Sequence, residues 1–167
     1  MAPVPVEVRD AKGITAARVI PSHPCRAEID GSELIVGSQP LVAQIGAVRW
    51  SGADGSNGTT LESDGTAVAR LSPSTNPNEL DIFDPEGVAM IKITATTPGS
   101  ATIVNHEGVT VRHVDKTPAG FAVKLDDGVE SITGTTDPIL AGILTSPELT
   151  RPVRALAACR RVFEKLP

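Results

Sequence analysis

A repeated turn constrains this chain more than any other feature. Asp10-Ala-Lys-Gly13, Asp84-Pro-Glu-Gly87 and Asn105-His-Glu-Gly108 each open on an Asp or Asn and close on a glycine three residues later. That is the residue preference of a type I turn, and Pro85 stands where the turn wants a fixed φ. Asp30-Gly31, Asp64-Gly65 and Asp127-Gly128 are the two-residue version, the strongest short hairpin signal a sequence carries. Between residues 61 and 132 the turn glycines fall at 65, 87, 108 and 128, a spacing of 20 to 22 residues. Each hairpin is then one repeat, joined to the next on the opposite side.

Apolar residues alternate with other residues between these turns. Val4, Val6 and Val8 interleave with Pro5, Glu7 and Arg9; Phe121, Val123 and Leu125 are expected to face inward while Ala122 and Lys124 face out. Six units, with turn glycines at 13, 31, 65, 87, 108 and 128, predict roughly twelve strands. The rhythm breaks over 37–60. Residues 41–50 predict at least one strand with Gly46 as a bulge or bend, and the glycine-rich 51–58 predicts an exposed loop. Residues 72–78 predict a second polar loop. The expected fold class is mainly β, a barrel or sandwich of about six hairpin repeats with a short buried helix and a C-terminal amphipathic helix.

Beyond Gly134 the pattern turns helical. Asp137 can cap a short helix with Pro138 in its first position, and 139–144 is apolar on every face, which predicts burial. Thr150 caps a second helix running to about Lys165, with Val153, Leu156, Cys159, Phe163 and Leu166 as one apolar stripe. The expected organisation is a hairpin-repeat domain over 1–136, with a helical segment over 137–167 packed on it or on a neighbouring subunit. Residues 147–167 carry five basic and two acidic side chains, net +3, which leaves −8 on the rest of a chain whose total is −5.

Composition narrows the function. A net charge of −5 argues against general nucleic-acid binding, which needs a basic footprint. Only Trp50, Phe83, Phe121 and Phe163 are aromatic, so the core must be Val, Ile, Leu and Ala, and the surface lacks the usual anchors for sugars or stacked bases. Cys25 and Cys159 are too few for a disulfide framework, so free thiols in a reducing compartment are expected. The proline-containing arm 1–6 lacks the basic and apolar regions of a secretory signal. The expected location is the cytoplasm, or an assembly formed there, a virion included.

The stretch Leu80-Asp-Ile-Phe-Asp-Pro-Glu-Gly-Val-Ala-Met-Ile-Lys-Ile93, set among hairpin repeats and followed by a C-terminal apolar helix, resembles the repeat of the tubby-like barrels. That group includes the LURP-one-related proteins and the phospholipid scramblases. The resemblance implies a closed barrel threaded by the helix at 139–144. The barrel region here is acidic where the lipid-headgroup site of tubby proteins needs lysines and arginines, so no binding residue carries over.

Candidate sites are few. His23-Pro-Cys25 places a thiol near an imidazole, but the prolines make it a strand-ending turn with no third group, so a Cys25 hydrolase is the least favoured reading. Asp54, Asn57, Glu62 and Asp64 surround the glycine-rich stretch without the later bidentate Glu of a calcium loop, and read as a solvated loop. His106 and His113 lack further ligands for a metal. No enzyme activity and no cofactor are expected. The leading expectation is a structural or adaptor protein of a larger assembly, such as a virion or tail component or a cellular complex subunit. The alternative is a tubby-like barrel binding a lipid or small apolar ligand. Protein partners or a homo-oligomer are expected to engage the C-terminal helix through Arg151, Arg154, Leu156, Arg160, Arg161, Phe163 and Lys165; membrane contact is not expected.

Overall fold

A computed structural model describes residues 3–96 and 99–166; the first two residues of the predicted arm lie outside that range. Fourteen antiparallel strands form one closed barrel. Four hairpins come first: β1 (Val6–Arg9) with β2 (Thr15–Ile20), β3 (Cys25–Ile29) with β4 (Ser32–Ser38), β5 (Leu41–Ile45) with β6 (Val48–Gly55), and β7 (Gly58–Ser63) with β8 (Thr66–Leu71). Three more follow: β9 (Glu79–Phe83) with β10 (Ala89–Ala95), β11 (Ala101–Asn105) with β12 (Thr110–Thr117), and β13 (Gly120–Leu125) with β14 (Gly128–Thr133). Each strand pairs with its neighbours in sequence, and β1 closes on β14 with Val8 opposite Ile132. All seven hairpin turns lie at one end of the barrel, the turn end. The connections between hairpins lie at the other, the loop end.

The Asx turns form as the sequence predicts. Asp84 Oδ1 accepts from the backbone N–H of Glu86 at 3.0 Å and of Val88 at 2.9 Å, while Gly87 N–H donates to the Asp84 carbonyl at 3.0 Å. The same three bonds recur at Asp10 and Asn105. Asp30-Gly31 and Asp64-Gly65 have positive φ at both residues, as a type I′ hairpin requires. At the last hairpin the turn is Asp126-Asp127, and Gly128 instead opens β14 opposite Leu125.

The count of twelve strands is corrected to fourteen by the stretch 41–55. It forms an extra hairpin, and 51–55 belongs to β6 instead of a loop. The inward positions of β6 are Trp50, Gly52 and Asp54, opposite Ala43, Leu41 and Thr59 respectively. A glycine and an aspartate at inward sites erase the apolar alternation. Gly52 is small because an added Cβ would sit 2.8 Å from Leu41 Cδ2. Backbone pairing on both sides, with β5 and β7, makes this a strand.

The inner face of the wall is aliphatic, with Ile29, Leu61, Leu71, Ile82, Ile91, Ile93, Ile103 and Ile132 fully buried. An eight-strand barrel is filled by its own side chains; fourteen strands enclose far more volume. Two helices occupy it. α1 (Pro138–Leu144) enters from the loop end and packs on β10, β11 and β12; α2 (Arg151–Lys165) runs back beside it and packs on β3, β4 and β5. Every residue of 139–144 is buried, as expected. The stripe on α2 is wider than predicted, because Ala155, Ala157, Ala158 and Val162 are buried as well. The two helices, α1 and α2, are thus packed within the wall. They are the barrel's filling.

Cys25 on β3 and Cys159 on α2 form a disulfide with Cα atoms 5.8 Å apart, which corrects the expectation of free thiols. The bond ties the filling to the wall across 134 residues of sequence. On the chain-entropy account a loop of that size is worth about 4–5 kcal/mol. Outside, the exposed strand positions include Arg18, Arg26, Glu28, Glu33, Arg49, Lys92, Asp115 and Lys124. A wall that is charged outside and aliphatic inside is the inverse of a membrane-spanning barrel. Among the described residues no helix is long and apolar enough to cross a membrane.

Two glycines with nearly the same backbone test this arrangement. Gly87 has φ +86 and open space around an added Cβ; Gly134, where the chain leaves β14 for α1, has φ +87 and an added Cβ only 2.0 Å from the Pro5 carbonyl oxygen. Gly87→Ala is expected to cost the strain alone, about 1–2 kcal/mol in denaturant titration. Gly134→Ala should cost clearly more, about 3 kcal/mol or above, because β1 must shift. Equal losses would show that the chain does not enter the lumen past β1.

Candidate functional site

The ends of the barrel carry the polar chemistry, because the lumen between them is apolar. At the loop end, the Arg161 guanidinium holds Asp137 with two hydrogen bonds, Nε to Oδ2 at 2.7 Å and Nη2 to Oδ1 at 3.1 Å. Nη2 also donates to the Pro77 carbonyl at 2.9 Å. Asp137 Oδ1 accepts the Ile139 N–H at 3.1 Å, so one carboxylate caps α1 and anchors α2. Arg160 donates to Thr59 Oγ1 at 2.9 Å and to the Ser72 carbonyl at 2.8 Å, and pairs with Glu164 at 3.1 Å. Thr59 in turn donates to Asp54 at 2.7 Å, and Ser74 donates to Glu164 at 2.7 Å. Burial pushes the Arg160 pKa down from its ordinary value, with the Glu164 carboxylate opposing the shift.

This network engages much of the predicted partner face on α2 within the chain itself. Leu156 is fully buried in the core, and Arg160 and Arg161 bind the chain's own acceptors. Arg154 donates to the Leu149 carbonyl at 2.9 Å, and Arg151 reaches Asp30 at 3.3 Å. Phe163 stacks on His23 with ring centroids 5.0 Å apart, leaving Lys165 exposed at the helix end. The physical reason is geometric. A helix inside a barrel presents its polar residues only at the two mouths, where the wall's loops supply carbonyls and carboxylates.

The other candidates separate as well. Cys25 is disulfide-bonded and fully buried, which removes the thiol nucleophile. Asp54 and Asn57 lie at the loop end but Asp64 lies at the turn end, with the length of β7, about 20 Å, between them. Asp64 Oδ1 instead accepts the Arg49 N–H at 2.9 Å. Among the described residues no group of three or more His, Cys, Asp or Glu side chains is placed to hold a metal ion.

The turn end was not singled out by the sequence. A cleft of about 710 Å³ opens there between hairpin tips and the connection from α1 to α2, lined by Asp30, Arg112, Lys124, Glu130, Glu148 and Arg154. Arg112 Nη2 donates to Glu148 Oε1 at 2.5 Å. Burial pushes the Glu130 carboxyl pKa up, against the pull of Arg154. Burial pushes the Arg154 pKa down.

Around this mouth stand exposed aliphatic residues: Ile14 at 60%, Val88 at 52%, Val109 at 54% and Val129 at 47%. They sit just before or within β2, β10, β12 and β14, four strands that alternate around half of the barrel. A signal for them exists in the sequence, since each Asx turn and Asp127-Gly128 is followed at once by Ile or Val.

Two substitutions probe the ends. Asp137→Ala leaves Arg161 buried without its partner and should cost about 3–5 kcal/mol in denaturant titration, whereas Asp137→Asn, which keeps the cap, should cost less. An equally small loss for both would mean the pair does not hold the helices. At the turn end, a folded-state pKa raised above the unfolded value means ionised Glu130 weakens the fold as pH rises through it. Glu130→Gln should therefore raise the melting temperature at pH 7 and change little below about pH 3, where the carboxyl is protonated in both states. A lower melting temperature at pH 7 would show that attraction to Arg154 outweighs burial.

Comparison of the chain with protein families, with curated proteins and with solved structures finds no match.

Proposed function

We propose that this chain is a non-catalytic structural or adaptor module of a larger assembly, a virion or tail component or a subunit of a cellular complex. The observation that carries the reading is the filled lumen. A barrel that serves as a binder of a lipid or small apolar ligand needs room between its walls. Here Ile139, Ile143, Leu144, Leu156 and Ala158 occupy that room and are buried against the aliphatic wall. The cleft at the turn end is lined largely by charged and polar side chains, which suits neither a lipid tail nor an apolar cofactor.

Rigidity supports the same reading. The Cys25–Cys159 bond, the Arg161–Asp137 pair and the Arg160 network each join α2 to the wall or to α1. What such a body offers is a fixed surface. The paired cysteines also move the favoured setting from the reducing cytosol towards an oxidising compartment or an assembly that leaves the cell.

Uptake of a neutral apolar fluorophore such as N-phenyl-1-naphthylamine tests the reading directly. The native protein is expected to leave its fluorescence unchanged, with an increase only as the chain unfolds. Saturable uptake at one site by the native protein would favour the ligand-binding barrel and overturn the adaptor reading.

A further inference from the structure

Resting on the adaptor reading, we propose that the turn end is the docking surface and that its partner presents a cationic amphipathic helix. The arc Ile14, Val129, Val109, Val88 exposes between 47% and 60% of each side chain, and Val111, 39% exposed, widens it beside Val109. The four sit on or at the start of alternate strands, so neighbours are about 10 Å apart and the arc spans about 30 Å. The rim curves, so a straight helix follows a chord shorter than the arc and meets neighbouring studs; a helix of about 20 residues, about 30 Å long, covers that chord in full.

The charge around the arc sets the partner's chemistry. Its four turns, 10–13, 84–87, 105–108 and 126–127, carry six carboxylates against Lys12, with Arg9 bonded to the first turn and Lys124 across from Val129, so the border stays net acidic. The carboxylates of Glu86, Glu107, Asp126 and Asp127 belong to exposed residues, so they form a solvated acidic border to the aliphatic studs. Aliphatic contacts supply burial, and the acidic border steers and selects a basic partner. A second copy of this chain would bring the same acidic rim against itself, and an anionic membrane would be repelled for the same reason. The three remaining hairpin turns, at 30–31, 46–47 and 64–65, have no exposed Ile or Val beside them, so the surface is one-sided.

The probe is a 20-residue peptide with leucine on one helical face and lysine on the other, titrated by fluorescence anisotropy against the full chain with its disulfide intact. Three versions are compared: wild type, the triple variant Val88→Ser, Val109→Ser and Val129→Ser, and the control Ile35→Ser, whose side chain is 46% exposed but lies on the outer wall away from the arc. Thermal melts establish that all three fold. The expected result is binding to wild type and to the control, weakening by about tenfold or more in the triple variant. Binding should also weaken as salt rises from about 0.05 to 0.5 M, and a leucine–glutamate peptide should not bind.

Equal binding by the triple variant overturns the docking surface. So does light scattering that shows a dimer of wild type which the triple variant loses, since the occupant is then a second copy. Binding to phosphatidylglycerol vesicles with none to the peptide overturns it as well. Each of these leaves the adaptor reading standing, which the fluorophore experiment tests separately.

Discussion

The inside of a fourteen-strand barrel has to be filled, and the rest of the structure depends on how that is done. A void lined by Ile29, Leu61, Ile82, Ile93 and Ile132 would lose packing on one side of every residue, at a cost that grows with its volume. The chain supplies the filling from its own C-terminus. α1 is apolar all round because it has wall on one side and α2 on the other. α2 uses Ala155, Ala157 and Ala158 where it must lie close to its neighbours, and Leu156 and Val153 where there is more room. Gly142 serves the same end on α1: an added Cβ would approach Ile93 to 3.0 Å.

Filling a barrel with helices creates a second problem at its mouths. Each helix ends there with unsatisfied backbone groups and polar side chains, in surroundings only partly open to water. Asp137 answers it at the loop end by capping α1 and binding Arg161 at once. Arg160 reaches three acceptors from the wall and its own helix. The positive charge of the C-terminal segment is therefore spent largely on internal bonds. The turn end differs, because its Asx side chains accept from the N–H groups of their own turns. It keeps a cleft, a border of carboxylates and a half-ring of aliphatic studs.

Those studs also follow from the turns. An Asx-x-x-Gly turn ends with a left-handed glycine, and the next residue begins the return strand before the wall is continuous. A residue there has no neighbour on its outer side. Any aliphatic side chain at that place is exposed unless another molecule covers it. Four consecutive hairpins around the barrel carry Ile or Val at or beside this place, while the turns at Gly31 and Gly65 are followed by Ser32 and Thr66.

The local elements were legible in the sequence. The Asx turns, the type I′ turns at Asp30 and Asp64, the strands flanking them and the buried helix at 139–144 all depend on contacts within a few residues, and composition and spacing report such contacts directly. Distant contacts were not legible in this way. β6 is a strand because β5 and β7 pair with it, although its inward Gly52 and Asp54 read as loop. Cys25 and Cys159 meet only because α2 turns back along β3. The basic helix looked like a docking tail because its charge and stripe are visible locally, while the wall that surrounds it is assembled from every part of the chain. Amino-acid order determined that this protein is made of hairpins with an apolar C-terminus. Closure of β1 on β14 decided that this C-terminus lies inside, since only a closed wall leaves a volume that must be filled.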